Sequence, residues 1–281
     1  MRVGVIGAGT MGAGIAQAFA SGEDVEVRLC DLTTELATRG RDRIAAGLRG
    51  QVAKGRMSQE AADAIVGRVS TGEVDALADC ALVIEAVLEE MGAKRELFAR
   101  LDGICGPEAI LATNTSTLSV TEMARGLRHP LVGMHFFNPA PVMKLVEVTA
   151  GADTPPDAVD AVTRLAESIG KTPVRVAEAP GFVVNRVLIP MINEAIGVLA
   201  DGTASAEDID TAMKFGANHP IGPLALGDLV GLDVVLAIME ILQGETGDPK
   251  YRPHPLLRKM VRAGRLGRKS GRGIYQYAAA D

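Results

Sequence analysis

Cysteine is scarce in this chain of 281 residues, and its placement excludes two kinds of protein at once. Cys30, Cys80 and Cys105 make an odd number, and none sits in a CxxC or CxxH spacing. They therefore build neither a disulfide framework nor a zinc site, and no metal is expected. Each reads as a free buried thiol, which implies a reducing compartment. Also missing is any uncharged apolar run of the roughly 20 residues that a membrane-spanning helix needs. The opening MRVGVIG enters a strand-like stretch directly, without the charged start and cleavable apolar core of a leader. The expectation is a cytoplasmic protein, or the mature form of an imported one, with no membrane partner. Positive charge is in deficit: 29 Lys and Arg against 35 Asp and Glu give a formal net charge of −6. The molecule as a whole repels polyanions, so no nucleic-acid partner is expected. One stretch runs against that balance. Arg258, Arg262, Arg265, Arg268, Lys269 and Arg272 are spaced as on an exposed helix and its following loop, either a solvated basic surface or one that contacts phosphate.

What is present is ordinary globular material, 47% hydrophobic and 23% charged, in a length that suits two domains. The stretches RVGVIG, VEVRLCD, ALVIEAV, AILATNTS and PLVGMHFFN read as strands, and MGAGIAQAFAS reads as a helix after the first. Strands separated by helices imply a mostly parallel sheet with right-handed crossovers. Two amphipathic helices interrupt the pattern near 34–68. KLVEVT, a helix over TPPDAVDAVTRLAESIG, and KTPVRV complete this domain, and Ala179, Pro180 and Gly181 punctuate its end. From there FVVNRVLIPMINEAIGVLA, SAEDIDTAMKFG and GPLALGDLVGLDVVLAIMEIL are helical, with a strand only at GIYQY. The reading is an α/β domain over 1–180 followed by a smaller all-helical domain over 181–281. The helices of the second carry apolar residues on most faces, so self-association into a homodimer or a larger homo-oligomer is expected.

Gly7, Gly9 and Gly12 follow the first strand and open the first helix, with Thr10 and Met11 between them. The first glycine permits a tight turn, the second lets the backbone approach a pyrophosphate, and the third lets helix and strand pack closely. The helix start then offers free N–H groups to phosphate. Asp31 ends the next strand, where a carboxylate accepts hydrogen bonds from a ribose and repels a 2′-phosphate. Leu32, Thr33 and Thr34 supply no arginine, although a rearranged loop could bring Arg39 or Arg41 near. The segment is read as the first β-α-β unit of a Rossmann fold binding NAD.

In such a fold ligands lie outside the carboxyl ends of the strands. LATNTST leaves Asn114 and Ser116 there, and VGMHFFNP leaves His135. Alone, these read as an Asn/Ser turn and a satisfied buried histidine. Glu147 alters that. In KLVEVT it shares a face with Leu145, opposite Lys144, Val146 and Val148, and a carboxylate in such a strand needs a partner. The short FNPAPVM turn could bring it to His135, as a carboxylate that holds an imidazole. Asn185 sits on an apolar stripe with Phe182, Ile189 and Ile192, either in a structural hydrogen-bond network or pointing into a site.

GVIGAGTMGAGIA, ATNTSTLSV, GMHFFNPAPVMKLVEV, PGFVVNR, DIDTAMKFGANHPIGPLALGDLVGLD and GRKSGRGIYQY together resemble the L-3-hydroxyacyl-CoA dehydrogenases, in order and across nearly the whole chain. The resemblance implies His135 as catalytic base and Glu147 as its orienting partner. Ser116 and Asn185 would hydrogen-bond the reacting oxygen of the substrate. Asn114, Glu89 and Lys94 would hold the nicotinamide end of the cofactor, and Asn138 and Lys269 would be further cofactor contacts. Lys54, in VAKG, would contact coenzyme A, with Arg56 as a second candidate for its phosphates. Gly50 stands where relatives carry a basic residue, and Ile274 replaces a more usual phenylalanine. The implied activity is NAD-dependent interconversion of 3-hydroxyacyl-CoA and 3-ketoacyl-CoA, with an acyl-CoA as the substrate partner. A dehydrogenase of a free hydroxy or sugar acid on the same scaffold is the alternative among enzymes. A non-catalytic NAD-binding protein would need the glycines but not Ser116, His135, Glu147 and Asn185 together.

Overall fold

The computed structural model describes residues 1–277, which divide into one unit ending at Glu178 and a second starting at Ala179. The first unit is built on eight strands: β1 Arg2–Ile6, β2 Glu26–Cys30, β3 Val69–Gly72, β4 Leu82–Glu85, β5 Ile110–Thr113, β6 Leu131–Phe136, β7 Leu145–Ala150 and β8 Thr172–Ala177. They form a single sheet in the order β3-β2-β1-β4-β5-β6-β7-β8. Strands β1 to β6 are parallel, which is the doubly wound Rossmann order. Strand β7 turns back antiparallel to β6, and β8 runs parallel to β7. The carboxyl ends of β1, β4, β5 and β6 and the start of β7 therefore share one edge of the sheet.

The helices of this unit are α1 Thr10–Ala20, α2 Thr34–Ala53, α3 Gln59–Gly67, α4 Met91–Ile104, α5 Val120–Ala124 and α6 Pro156–Ser168. Hydroxyl caps start several of them: Thr33 accepts from Leu36 N, Ser58 from Ala61 N, and Ser119 from Glu122 N. Helix α2 buries Ala37, Gly40, Ile44 and Leu48, a single stripe at helical spacing. Ile44 and Leu48 of that stripe join Ile15 and Phe19 of α1 and Val3, Val5, Val27 and Leu29 of the sheet in one core layer. Ile6, Val83, Leu111 and Leu131 face the other layer, with Phe98 and Leu101 of α4. Each such side chain contributes about 1.5–3 kcal/mol on burial. The two helices expected near 34–68 are α2 and α3. The sequence reading missed β3, which follows them; its four residues, VSTG, are too short and too polar to show an alternating pattern.

Cys30 and Cys80 are buried and Cys105 is half-buried, all as free thiols. Burial pushes the Cys30 thiol up to about 12 and those of Cys80 and Cys105 to about 11, so all three stay protonated and inert. Among the described residues no helix is long and apolar enough to cross a membrane.

The second unit contains α7 Val184–Ala200, α8 Ala206–Gly216, α9 Pro223–Val230, α10 Leu232–Thr246 and α11 Pro255–Arg262 around Ile192, Ile196, Leu224, Leu232, Val235, Met239 and Leu242. Two sequence expectations need correction here. GIYQY is not a strand: among the described residues this segment makes only isolated bridges, Gly267 with Arg272 and Arg272 with Gln276. Its backbone is held by a side chain, since buried Asp228 accepts from Ile274 N and Tyr275 N at 2.9 Å each and from the Tyr277 hydroxyl. Phe182 is not on the helix that carries Asn185. It precedes α7 at φ 47°, so the apolar stripe that continues from Asn185 along the helix begins at Ile189 and Ile192. The basic stretch is partly neutralised: Arg258 pairs with Glu240, Lys269 with Asp233 at 2.6 Å, and Arg268 lies over the Tyr277 ring.

Candidate active site

The glycine loop occupies the carboxyl end of β1. Gly7 has φ 101°, and a Cβ there would stand 2.5 Å from the Ala86 carbonyl oxygen, so only glycine fits the turn. A Cβ on Gly12 would fall 1.7 Å from Gly7 O, which fixes α1 close to the loop. At Gly9 a Cβ would meet nothing within 4 Å; this is the open side of the loop. Gly9 caps α1 without a side-chain acceptor, and no acidic residue occupies the first turn, so exposed Thr10 and half-buried Met11 begin a helix whose N–H groups are available to phosphate. Asp31 closes the arrangement: Oδ2 accepts from Ala8 N at 2.6 Å and Oδ1 from Leu32 N at 2.7 Å. An open glycine, a helix start without a competing anion and a carboxylate fixed at the end of β2 fit a pyrophosphate and a ribose diol, and hence NAD.

His135 lies in β6 directly opposite Glu147 in β7. Opposed residues of an antiparallel pair point to the same face, and Nδ1 of His135 stands 2.8 Å from Oε2 of Glu147. Both are buried, Glu147 at 1% exposure. The carboxylate can only accept, so Nδ1 carries the proton and Nε2 is the nitrogen that takes or gives one. The Phe137 ring packs 4.4 Å from the imidazole, centroid to centroid. Exposed Asn138 lies in the turn that follows, joined to Pro139 by a cis peptide. Lys171 holds that turn from beneath, donating to Ala140 O at 2.6 Å and Met143 O at 2.9 Å, and burial lowers the affinity of its ammonium for the proton.

Asn114 and Ser116 follow β5. Asn114 accepts from Phe136 N through Oδ1 at 2.9 Å, tying the end of β5 to the end of β6 one residue beyond His135. Ser116 is half-buried, and its loop is gathered by Glu89. Oε1 of Glu89 accepts from Ser116 N at 3.0 Å and from the hydroxyls of Thr115 at 2.5 Å and Thr117 at 3.1 Å. The other Glu89 oxygen lies 3.1 Å from Nζ of Lys94. Lys94 is 1% exposed and sits 2.6 Å from Oε1 of Glu85, itself wholly buried. Glu85 also accepts from the Thr113 hydroxyl and from Val87 N, each at 2.7 Å. Burial outweighs Lys94 at Glu85 and holds its pKa above the ordinary carboxylate range. At the more open Glu89, burial is overcome by Lys94 and by the bonds from Thr115 and Ser116, and the pKa is lowered.

The loop thus brings together Asn114, Ser116, Glu89 and Lys94 at the sheet edge that carries His135 and Glu147. Lys94 is sealed between two carboxylates, and the second of these, Glu85, escaped the sequence reading. Its signal was present: a carboxylate inside the apolar strand ALVIEAV requires a buried cation. Lys54 and Arg56 stand exposed between α2 and α3, and Gly50 opens onto free space there. Asn185, half-buried, is the second residue of α7, and Lys269 pairs with Asp233; both belong to the second unit. Among the described residues no group of three or more His, Cys, Asp or Glu is placed to hold a metal ion.

Residues 2–179 match the family described as 3-hydroxyacyl-CoA dehydrogenase, NAD binding domain, and residues 181–277 match 3-hydroxyacyl-CoA dehydrogenase, C-terminal domain. The chain is 53% identical over 281 residues to the 3-hydroxybutyryl-CoA dehydrogenase of Clostridioides difficile, covering 99% of both chains. It is 50% identical over 279 residues to a probable 3-hydroxybutyryl-CoA dehydrogenase of Bacillus subtilis, covering 98% of this chain and 97% of that one. The crystal structure of (S)-3-hydroxybutyryl-CoA dehydrogenase from Ralstonia eutropha is similar with a TM-score of 0.92 and 46% identity, over 99% of each chain. A histidine–carboxylate pair and a glycine loop fitted to NAD on one sheet edge, together with these matches along both units, place this chain in the 3-hydroxyacyl-CoA dehydrogenase family.

Proposed function

We propose that the protein interconverts (S)-3-hydroxybutyryl-CoA and acetoacetyl-CoA, with NAD as the redox partner. The observation that carries this reading is the His135–Glu147 pair, 2.8 Å apart in paired strands at the sheet edge shared with the glycine loop. Bound NAD supplies the hydride acceptor in oxidation and, reduced, the donor in reduction. In oxidation Nε2 of His135 takes the proton of the 3-hydroxyl, and Glu147 accepts from Nδ1–H and stabilises the imidazolium that results. In reduction the same imidazolium returns the proton to the 3-oxygen. Ser116 is assigned to hold the reacting oxygen by hydrogen bonding. Its loop is fixed beforehand by Glu89 and Asn114, so little ordering remains when substrate arrives.

A coenzyme A ester brings several phosphates to an acidic protein, so local positive charge must receive them. Lys54 and Arg56, exposed and without an ion pair among the described residues, support that role. Exposed Val187, Phe215 and Leu229 in the second unit, at 68%, 83% and 52% exposure, support self-association of the chain through its C-terminal helices. Sedimentation of the purified protein tests that assignment; a monomer at every concentration would remove it.

The deciding experiment follows NADH oxidation with acetoacetyl-CoA, free acetoacetate and a longer 3-ketoacyl-CoA in parallel. Turnover with acetoacetyl-CoA and little with the free acid is expected. Activity on the free acid alone would make the enzyme a hydroxy-acid dehydrogenase.

A further inference from the structure

Gly40 and Arg43 lie three residues apart on α2 and so share a helix face. That face meets the glycine loop. A Cβ at Gly40 would stand 2.7 Å from the Ala8 side chain and 2.8 Å from Ala8 O, so the bare glycine is what lets α2 close on the loop. One turn further on, Nη1 of Arg43 donates to Ala8 O at 3.3 Å. Ala8 N meanwhile donates to Asp31 Oδ2 at 2.6 Å. A carboxylate and a guanidinium thus grip the two polar ends of one residue, between Gly7 and Gly9.

The neighbouring arginines of α2 are engaged elsewhere. Arg39 pairs with Glu35 at 2.6 Å, and Arg41 donates to Val66 O at 3.3 Å. Arg43 is exposed and makes no ion pair among the described residues, which leaves most of its N–H donors uncommitted. Guanidinium binds phosphate through paired N–H donors, and an arginine near the ribose is what receives the 2′-phosphate in NADP-binding members of this fold class.

We propose that Arg43 is a specificity determinant of the dinucleotide site, a cation held beside the ribose position. A 2′-phosphate is then excluded by the charge of Asp31 and not by the want of a group to receive it. The inference rests on the reading of 3–31 as the NAD site. It makes the NAD preference a balance between two side chains on one loop residue. Leu32, which follows Asp31 and is 87% exposed, presents no further barrier of charge.

The test is a pair of binding titrations, NADH and NADPH, followed through the fluorescence of the nicotinamide; the chain has no tryptophan to compete. The proteins are wild type, Asp31→Asn, Asp31→Ser, and each substitution combined with Arg43→Met or Arg43→Lys. The Asp31→Asn side chain keeps one oxygen for Ala8 N while removing the charge, and the N–H of exposed Leu32, which loses its acceptor, turns to water. The NADPH-to-NADH affinity ratio should rise at least about tenfold in Asp31→Asn, equivalent to about 1.4 kcal/mol. Adding Arg43→Met should return it toward the wild-type value, and adding Arg43→Lys should keep part of the gain. Added salt should erode the gain, as screening of a phosphate contact requires. A ratio unmoved in both Asp31 variants, or a gain that survives Arg43→Met, would overturn the proposal. If the wild type failed to bind NADH in the same titration, the dinucleotide site itself would fall, and this inference with it.

Discussion

His135 and Glu147 face each other across the antiparallel seam of the sheet, register partners with Nδ1 and Oε2 2.8 Å apart. Reversal of direction at β7 is what makes this possible. In a parallel continuation the chain would have crossed over through a helix, whereas the return through 137–144 sets Glu147 beside His135 only twelve residues later. The imidazole is oriented by a neighbour in the hydrogen-bonded ladder, so its alignment is as stiff as the sheet.

Replacing His135 by Gln removes the imidazole to which proton transfer is assigned and leaves the glycine loop untouched. Positioned acid–base catalysis contributes about 10²–10⁴-fold. Turnover of acetoacetyl-CoA should fall by on the order of that factor while NADH binding stays near the wild-type value. Stopped-flow turnover beside a fluorescence titration checks both, and an unchanged turnover would remove His135 from the mechanism.

Glu147→Gln tests the tautomer. The carboxylate compels Nδ1 to hold the proton. A carboxamide can donate to Nδ1 instead and move the proton to Nε2, where it blocks a base. In a triad the equivalent change costs up to about 10⁴ in turnover with the geometry intact. The expected pattern is a large loss in kcat with little change in KM, and KM rising alone would indicate a packing role.

Much of this was legible in the sequence because it rests on spacing. GAGTMG after a strand marked the loop, Asp31 the carboxylate that closes it, and the placement of Glu147 in KLVEVT the need for a partner. Contacts set by how elements pack were not legible from spacing. Glu85, Lys94 and Glu89 form their network because the end of β4 and the loop after it bring two carboxylates against the first turn of α4, a matter of how helix and strand pack. Arg43 reaches Ala8 because Gly40 allows close approach of α2, which no periodicity reveals. GIYQY reads as a strand from composition alone, but Asp228 satisfies its N–H groups, and so no ladder forms.

Asp102 near the end of α4 predicts the acid limb of stability. Burial acts to raise its pKa, but bonds from His129 N, His129 Nδ1, Arg128 Nε and Arg128 N outweigh this and bring it from 3.8 down to about 2. A carboxylate with a depressed folded-state pKa adds stability that is fully present above its unfolded value and is lost as pH falls through the folded one. Asp102→Asn should therefore lower the melting temperature at pH 5 to 7, and the difference from wild type should shrink between about pH 4 and pH 2. A constant difference across that range would assign the loss to packing instead of charge.

Lys94→Met separates the network's charge from its shape. The substitution fills nearly the same space but strands Glu85 and Glu89 near each other with no cation between them. Removing one member of a buried ion pair costs about 3–5 kcal/mol, because the remaining charge stays desolvated. The loss should be largest at neutral pH and smaller on acidification. Without Lys94 the Glu85 pKa, already raised by burial, rises further, so this carboxyl takes up its proton at a higher pH than in the wild type, and with it the repulsion disappears. Denaturation by urea at pH 7.5 and pH 5.5 reads this directly: the gap between variant and wild type should narrow at the lower pH. Because Glu89 gathers Thr115, Ser116 and Thr117 only while ionised and in place, turnover should fall more than stability at either pH. Lys94→Met combined with Glu85→Gln should recover stability by removing the stranded charge. If the double variant were as unstable as the single one, the network would be holding α4 by packing alone.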